Sequence, residues 1–314
     1  MKQALKIIEL IGSKATYTLP LGLAIGLLLP ELADFLKAYL VTTLFISLTL
    51  ALLCTPTEKI ISSFLRTKLL VSALIWILVV SPILVWYLVS LVNINESVAL
   101  AAVFSAAAPP VTATAAIAIF LRLDSAVAAC VTVLSMALTP LVLPLTFRYL
   151  INTELELDVW IISLQLMFFI FISFVTTFVF KRALGEQKIA KNKLLFDGIS
   201  VISISLFTIG IMSGVSDMIA SRPWFVFENL IVSSVLVLGL YIISTIVFWR
   251  AGNKSAMAIG VASGNCNLGL MYLVLVDKVD IEVLIFFSIG QIPMYLLPTL
   301  CSPVVKVLRD AQSK

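Results

Sequence analysis

The sequence lacks histidine and has few charged residues. None of its 314 residues is histidine, and only 12% are Asp, Glu, Lys or Arg, whereas an ordinary soluble domain has about 25%. The absence of histidine removes the commonest metal ligand and proton carrier. The low charge argues against a water-soluble globular domain.

Cysteine is scarce as well, and the remaining catalytic groups do not form a recognisable set. The four cysteines, Cys54, Cys130, Cys266 and Cys301, lie in or beside apolar stretches and form no CxxC pair. This pattern indicates neither a disulfide framework nor a zinc site. No nucleophile–base pair is apparent, so we expect no enzyme. No carboxylate lies near the centre of an apolar stretch, which argues against proton coupling.

Long apolar stretches fill most of the chain. Because about 20 apolar residues cross a bilayer as a helix, these stretches predict an all-α polytopic membrane protein with ten transmembrane helices. The stretches are residues 15–30, 38–57, 69–95, 97–121, 125–147, 159–180, 198–216, 229–249, 255–276 and 283–305.

Basic residues are sorted between the connecting segments. The N-terminus, the even-numbered loops and the C-terminus hold 17 of the 21 Lys and Arg residues. By the positive-inside rule, both termini are cytoplasmic, as an even number of spans requires. This distribution indicates membrane topology rather than nucleic-acid binding. We expect an integral protein of a bacterial inner membrane, a monomer or homodimer, with lipid as a partner.

The chain divides into two halves with five predicted spans each, residues 1–150 and 151–314. An odd number of spans per half inverts the second half, which predicts a 5+5 inverted repeat. The last span but one of each half, span four and span nine, contains a helix-breaking segment. Broken spans at corresponding positions are a pointer to a transporter's binding site.

The first interruption is Pro109-Pro110, which is followed by Thr112 and Thr114. Two residues without N–H groups leave carbonyls of the preceding turn without helix partners. A half-helix that begins beyond the break has a positive dipole end. Such a segment can hold an anion or a cation, although a proline kink sealed by neighbouring hydroxyls is the simpler alternative.

The second interruption is Gly264-Asn265-Cys266-Asn267. An asparagine without a partner in hydrocarbon is costly, so Asn265 and Asn267 are expected to face protein, water or a ligand. Hydrogen bonding between helices is the structural alternative. The hydroxyl stripe Thr132, Ser135 and Thr139 and the intramembrane Gln291 complete the candidate polar set.

Spans four, five and nine resemble those of the bile acid:sodium symporter family. The resemblance rests on Ala108–Thr114 (APPVTAT), Arg122-Leu123-Asp124, Thr132 to Ser135, Thr139-Pro140 and Asn267-Leu268-Gly269. It implies a core domain, about residues 69–150 and 225–308, and a panel domain, about residues 15–57 and 158–216. It also implies crossing of the broken helices and two sodium ions at the crossing.

The sequence departs from that family where sodium ligands belong. The resemblance aligns oxygen-bearing side chains of the family with Ile77, Ala115, Ala128, Ala262 and Cys266. Sodium requires several oxygen ligands, which these side chains do not offer. A residual Na⁺ site that uses Thr114, Thr132, Ser135 and Asn267 stays open, and Na⁺ is the one cofactor that the sequence suggests.

We therefore expect a secondary transporter of a small organic anion that works by alternating access, with sodium coupling left open. Its predicted substrate contacts are Pro110, Thr112, Asn265, Asn267 and Gln291. A related efflux carrier of the arsenite or auxin type is the alternative, with Cys130 or Cys266 as ligands of a soft metalloid. A membrane sensor or channel is the alternative from another class. The sequence does not identify the solute.

Overall fold

The chain is helical almost throughout in a computed structural model that describes Ile8, Gly12 and residues 15–55, 66–150 and 158–310. The helices of these residues are α1 Ala15–Leu28, α2 Pro30–Lys37, α3 Leu40–Leu53, α4 Thr67–Ile75, α5 Ser81–Ser90, α6 Glu96–Ala107, α7 Thr114–Phe120, α8 Ser125–Leu150, α9 Val159–Leu184, α10 Glu186–Lys191, α11 Lys193–Gly210, α12 Val215–Ser221, α13 Pro223–Val247, α14 Asn253–Gly264, α15 Leu268–Leu275, α16 Ile281–Leu300 and α17 Ser302–Asp310. A π-helical turn, Trp76–Val80, joins α4 to α5, and a 3-10 turn, Trp249–Ala251, precedes α14.

Six helical segments of the described residues are long and apolar enough to cross a membrane. They are Thr67–Ser90, Ser125–Arg148, Val159–Leu184, Lys193–Ser221, Pro223–Val247 and Ile281–Leu300. A seventh candidate is the pair α1 and α2, which is bent by 108°. The prediction of an all-α integral membrane protein is confirmed at this level.

The remaining predicted spans are shorter or interrupted. Helix α3 has 14 residues, which is about 21 Å at 1.5 Å per residue, because the chain turns at Cys54 and bends at Thr55. Spans four and nine each consist of two half-helices, α6 with α7 and α14 with α15. For these three spans, membrane crossing stays a prediction.

The chain folds as two compact units, and the first comprises Met1–Pro56 and Phe168–Val226. Helix α11 is central to this unit, where it packs against α1, α2 and α3. Small residues permit close approach: a Cβ added to Gly26 would lie 2.6 Å from the carbonyl oxygen of Ile209. The Ser213 hydroxyl donates to Asp34 at 2.6 Å, which ties the end of α11 to α2.

The second unit comprises Thr57–Met167 and Phe227–Lys314 and contains both interrupted spans. Helix α8 packs against α7 and α14, whereas α16 packs against α15 and α6. The last helix of the first half, α8, thus contacts the second half-helix of its own broken span and the first half-helix of the broken span in the other half. Helix α16, the last long helix of the second half, makes the corresponding two contacts. Apolar clusters join α8 and α14, one of them through Val131, Ile259 and Ala262.

Candidate functional site

The first break separates α6 from α7 and is formed mainly by residues that cannot continue a helix. Ala108 is extended, with φ −67° and ψ 143°, as expected for a residue before proline. The chain then turns so that the Thr114 hydroxyl donates to the carbonyl oxygen of Val111 at 2.6 Å. This bond satisfies one carbonyl of the turn and fixes the start of α7.

The second break separates α14 from α15 and is formed by asparagine residues. Asn265 ends α14 with φ −88° and ψ 63°, a conformation outside the helical region. Asn267 caps α15, where its Oδ1 accepts a hydrogen bond from the N–H of Leu270 at 3.1 Å. Asparagine is among the best N-cap residues, so this side chain stabilises the start of the second half-helix.

The two breaks bind each other through their backbones. The N–H of Val111 donates to the carbonyl oxygen of Asn265 at 2.7 Å, and the N–H of Asn267 donates to that of Pro109 at 2.8 Å. Pro110 and Cys266 lie opposite each other in this antiparallel bridge. Since unpaired backbone groups are costly in a membrane, each break supplies partners that the other needs.

Asn265 is fully buried and only partly hydrogen-bonded. Its Oδ1 accepts a hydrogen bond from the hydroxyl of Tyr241 on α13 at 2.8 Å. Its Nδ2 has no partner among the described residues. Sequence reasoning missed Tyr241, although a phenol in the middle of an apolar span was a usable signal because buried tyrosine hydroxyls usually need a partner.

Close packing of α13 on α14 places the Tyr241 hydroxyl at the break. A Cβ added to Gly264 would collide with the Tyr241 ring and lie 2.7 Å from the carbonyl oxygen of Val237. Gly260 lies one turn earlier. A Cβ added there would collide with the Thr245 hydroxyl, at 2.3 Å, and would lie 2.7 Å from the carbonyl oxygen of Tyr241. These two glycines, four residues apart, are the small-residue stripe that lets membrane helices approach.

Helices α16 and α8 contribute buried polar groups that the local fold does not satisfy. Gln291 on α16 is 1% exposed, and neither its Oε1 nor its Nε2 has a partner among the described residues. The Oγ of Ser135 on α8 is likewise buried and unpartnered. By contrast, Thr132 donates to Ala128 within its own helix at 2.8 Å, a bond that a structural hydroxyl would make.

The predicted site residues fall into two groups. Pro110, Asn265 and Asn267 meet at the backbone bridge, and Thr112, half-buried, lies in the turn that follows it. Gln291, Thr132 and Ser135 lie on helices that pack against the broken spans, without a hydrogen bond to the bridge. The geometry therefore defines a bridge and a surrounding polar shell rather than one closed ligand cage.

A small cavity adjoins the bridge. It has about 10 Å³ open to a water-sized sphere, room for roughly one water molecule. Cys266 lines it together with Ser105, Ser233, Gly264 and Gly290. The Cys266 thiol donates to the carbonyl oxygen of Ser263 at 3.2 Å. In this conformation the cavity is too small for an organic solute.

The family's two-sodium arrangement does not fit these residues. Ile77 and Ala262, which align with oxygen ligands, are buried in one apolar cluster. Ala128 belongs to a second apolar cluster, with Met257 and Val261. Thr114 and Thr132 are buried but offer one hydroxyl oxygen each. Apolar side chains therefore occupy positions where a hard cation needs oxygen.

The charged pair Arg66 and Asp124 lies at the start of α8, and it has no hydrogen bond to the bridge. Asp124 accepts hydrogen bonds from Arg66 and from Ser255, both at 2.9 Å. It also caps α8, where its Oδ1 accepts a hydrogen bond from the N–H of Val127 at 3.2 Å. Among the described residues, no group of three or more His, Cys, Asp or Glu side chains could hold a metal ion.

Comparison with models of known protein families gave no match. A search of curated proteins gave no match either.

Proposed function

We propose that this protein is a secondary transporter that carries a small organic anion by alternating access and does so without sodium. The observation that carries the proposal is the bridge between the two interrupted spans, Val111 N–H to Asn265 and Asn267 N–H to Pro109. Non-helical backbone at membrane depth is tolerated where it is buried in protein or lines a solute path. Paired breaks of this kind are typical of transporter binding sites.

Two of the unsatisfied buried groups are donors that an anion could satisfy. Asn265 Nδ2 and Gln291 Nε2 are buried donors without partners in the described residues. Helix α15 begins beside the bridge at its cap Asn267, and the start of a helix is its positive dipole end. None of the residues at the bridge or in its polar shell is a carboxylate. An anionic solute would therefore supply the acceptors that these donors lack.

Two features of the architecture support a moving carrier. The first compact unit comprises residues 1–56 and 168–226, close to the panel ranges that the family resemblance implies. The second comprises residues 57–167 and 227–314, close to the implied core ranges. The reciprocal packing of α8 on α14 and of α16 on α6 is what a two-fold inverted repeat of five spans would produce. Alternating access requires that the bridge open to each side of the membrane in turn.

The apolar packing of Ile77, Ala128 and Ala262 supports the proposed sodium independence. A carrier with that packing has too few oxygens to hold two sodium ions. Proton coupling is disfavoured because the bridge has neither a carboxylate nor a histidine. Uncoupled or exchange transport is the mode that these residues support.

Thermal unfolding of the purified protein with a panel of organic anions, in sodium or in potassium, tests the proposal. We expect one class of anion to raise the unfolding temperature by several degrees, equally in both salts. The Gln291→Met variant should lose this shift. A matched control is Ser173→Ala in the first unit, since that buried hydroxyl donates only within its own helix, to Phe169 at 2.9 Å. A shift that requires sodium would reject sodium independence, and the lack of any shift would reject anion binding.

One observation keeps a metalloid efflux carrier as the second candidate. Cys266 lies in the bridge and lines the adjoining cavity, while Cys130 is buried in the neighbouring apolar cluster. Replacing both by serine separates the two functions. Unchanged metalloid resistance in cells that produce the double variant would eliminate this candidate, and loss of resistance would favour it over the organic anion.

A further inference from the structure

We infer that the second unit carries a binding site for one anionic phospholipid, in a groove between α4 and the end of α13. This site is separate from the helix bridge and does not depend on the proposed transport function. The groove has a volume of about 460 Å³. It is lined by Ser72, Ile75, Trp76, Val80, Val247, Phe248, Arg250 and Ala251.

The walls of the groove suit an acyl chain. Ile75, Val80 and Val247 are between 37% and 52% exposed, on segments that are long and apolar enough to cross a membrane. From Ser72 to Val80 the groove runs along about 12 Å of helix, at 1.5 Å per residue. In a membrane, the exposed apolar side chains of these helices are surrounded by lipid chains. An acyl chain can therefore enter the groove without a desolvation cost.

The floor of the groove is held in place by polar and aromatic contacts. The indole N–H of Trp76 donates to the buried Ser244 hydroxyl at 2.7 Å. The Trp76 ring also makes an edge-to-face contact with Phe248, with ring centroids 6.3 Å apart. Trp76 begins the π-helical turn, a widening of the helix that often marks functional positions. The groove is therefore formed before any ligand enters it.

One residue that lines the groove carries a positive charge. Arg250 is exposed and lines the groove where α13 ends, and it makes no hydrogen bond or ion pair with the described residues. Guanidinium groups bind phosphate through paired N–H donors. Basic residues between membrane helices bind anionic head groups in this way. An apolar slot beside an arginine that has no polar partner in the described part of the chain matches the two ends of an anionic phospholipid.

The test is the retention of lipid by detergent-purified protein, measured by native mass spectrometry and by thermal unfolding. The probes are phosphatidylglycerol and phosphatidylcholine with identical acyl chains. We expect the protein to retain one phosphatidylglycerol in preference to phosphatidylcholine. Arg250→Gln should weaken phosphatidylglycerol binding about fivefold, which corresponds to about 1 kcal/mol for one basic residue at a lipid surface. Ser72→Phe should fill the groove and abolish retention of either lipid.

Two matched controls separate the groove from general effects. Arg148→Gln removes an exposed arginine that does not line the groove, near the C-terminal end of α8 in the same unit. Val71→Phe adds the same phenyl ring to α4 at an exposed residue that does not line the groove. Both should bind lipid like the unchanged protein. Equal weakening by Arg148→Gln and Arg250→Gln would overturn the proposal in favour of general surface charge. A dimer that Ser72→Phe dissociates would also overturn it, because the groove would then hold a second copy of this chain.

Discussion

The two helix breaks differ in how each is formed. In the first, Pro109 and Pro110 remove N–H donors, and no side-chain amide is present. In the second, Asn265 and Asn267 supply side-chain partners, and Gly264 admits the Tyr241 ring. The Pro109 carbonyl oxygen of the first break accepts a hydrogen bond from the N–H of Asn267, and the N–H of Val111 donates to Asn265 of the second break. The comparison teaches that the breaks are one composite structure, joined by backbone hydrogen bonds, to which the second break adds side-chain amide contacts.

The largest expected effect is that of Gly264→Ala. The added methyl group would collide with the Tyr241 ring and approach the backbone oxygen of Val237 to 2.7 Å, so α13 and α14 must separate. We expect a loss of about 3 kcal/mol in the free energy of unfolding, the upper range for overpacking. Thermal or denaturant unfolding in detergent measures it.

Gly239→Ala is the matched control for that change. A Cβ at Gly239, also within a membrane helix, would meet no atom within 4 Å. It should leave stability unchanged or raise it slightly, because alanine is the better helix former. Equal destabilisation by the two substitutions would show that the second break does not depend on close packing against Tyr241.

A smaller loss is expected when the amide of the second break is removed. Asn265→Ala leaves the Tyr241 hydroxyl without its acceptor, which should cost about 2 kcal/mol. Tyr241→Phe removes the donor instead, so the double variant should lose less than the sum of the single variants. Unfolding measurements on all four proteins give the coupling energy, and strict additivity would contradict the hydrogen bond as the link between α13 and the break.

Gln291→Met should raise the free energy of unfolding, whereas Gly264→Ala and Asn265→Ala should lower it. Both side-chain ends of Gln291 are buried without partners in the described residues, so an apolar side chain of similar length should stabilise the protein by about 1 kcal/mol. Binding of the solute should be lost at the same time, as expected when a destabilised group serves function. A variant that is less stable than the parent would indicate that Gln291 is a structural contact.

The smallest effect on stability is expected in the first break. Thr112 is half-buried in the turn and makes no hydrogen bond with the described residues. Thr112→Val should change the free energy of unfolding by less than about 0.5 kcal/mol, as is usual away from specific contacts. A loss comparable to that of Asn265→Ala would remove the difference between the two breaks.

Local features of the sequence predicted much of this architecture. Apolar runs predicted the long helices, and the proline pair and the Gly-Asn-Cys-Asn segment predicted the two interruptions. All of these follow from neighbouring residues, since helix propagation and capping depend on sequence separations of a few residues.

The features that the sequence did not predict depend on distant contacts. Nothing near Val111 indicates that its N–H donates to Asn265, more than 150 residues away. Tyr241 was missed because its partner lies on another helix, 24 residues further along. The π-helical turn at Trp76–Val80 and the early end of α3 likewise depend on tertiary packing, which the apolar pattern does not encode.

Side-specific thiol labelling of Thr112→Cys, in a variant with the four native cysteines replaced by alanine, tests alternating access most directly. Membrane-impermeant reagents would be applied to oriented vesicles from each side, with and without the stabilising anion. The account predicts that the bridge turn is labelled from both sides and that the anion protects it. Labelling from one side only, unaffected by any anion, would contradict a carrier built on the paired breaks.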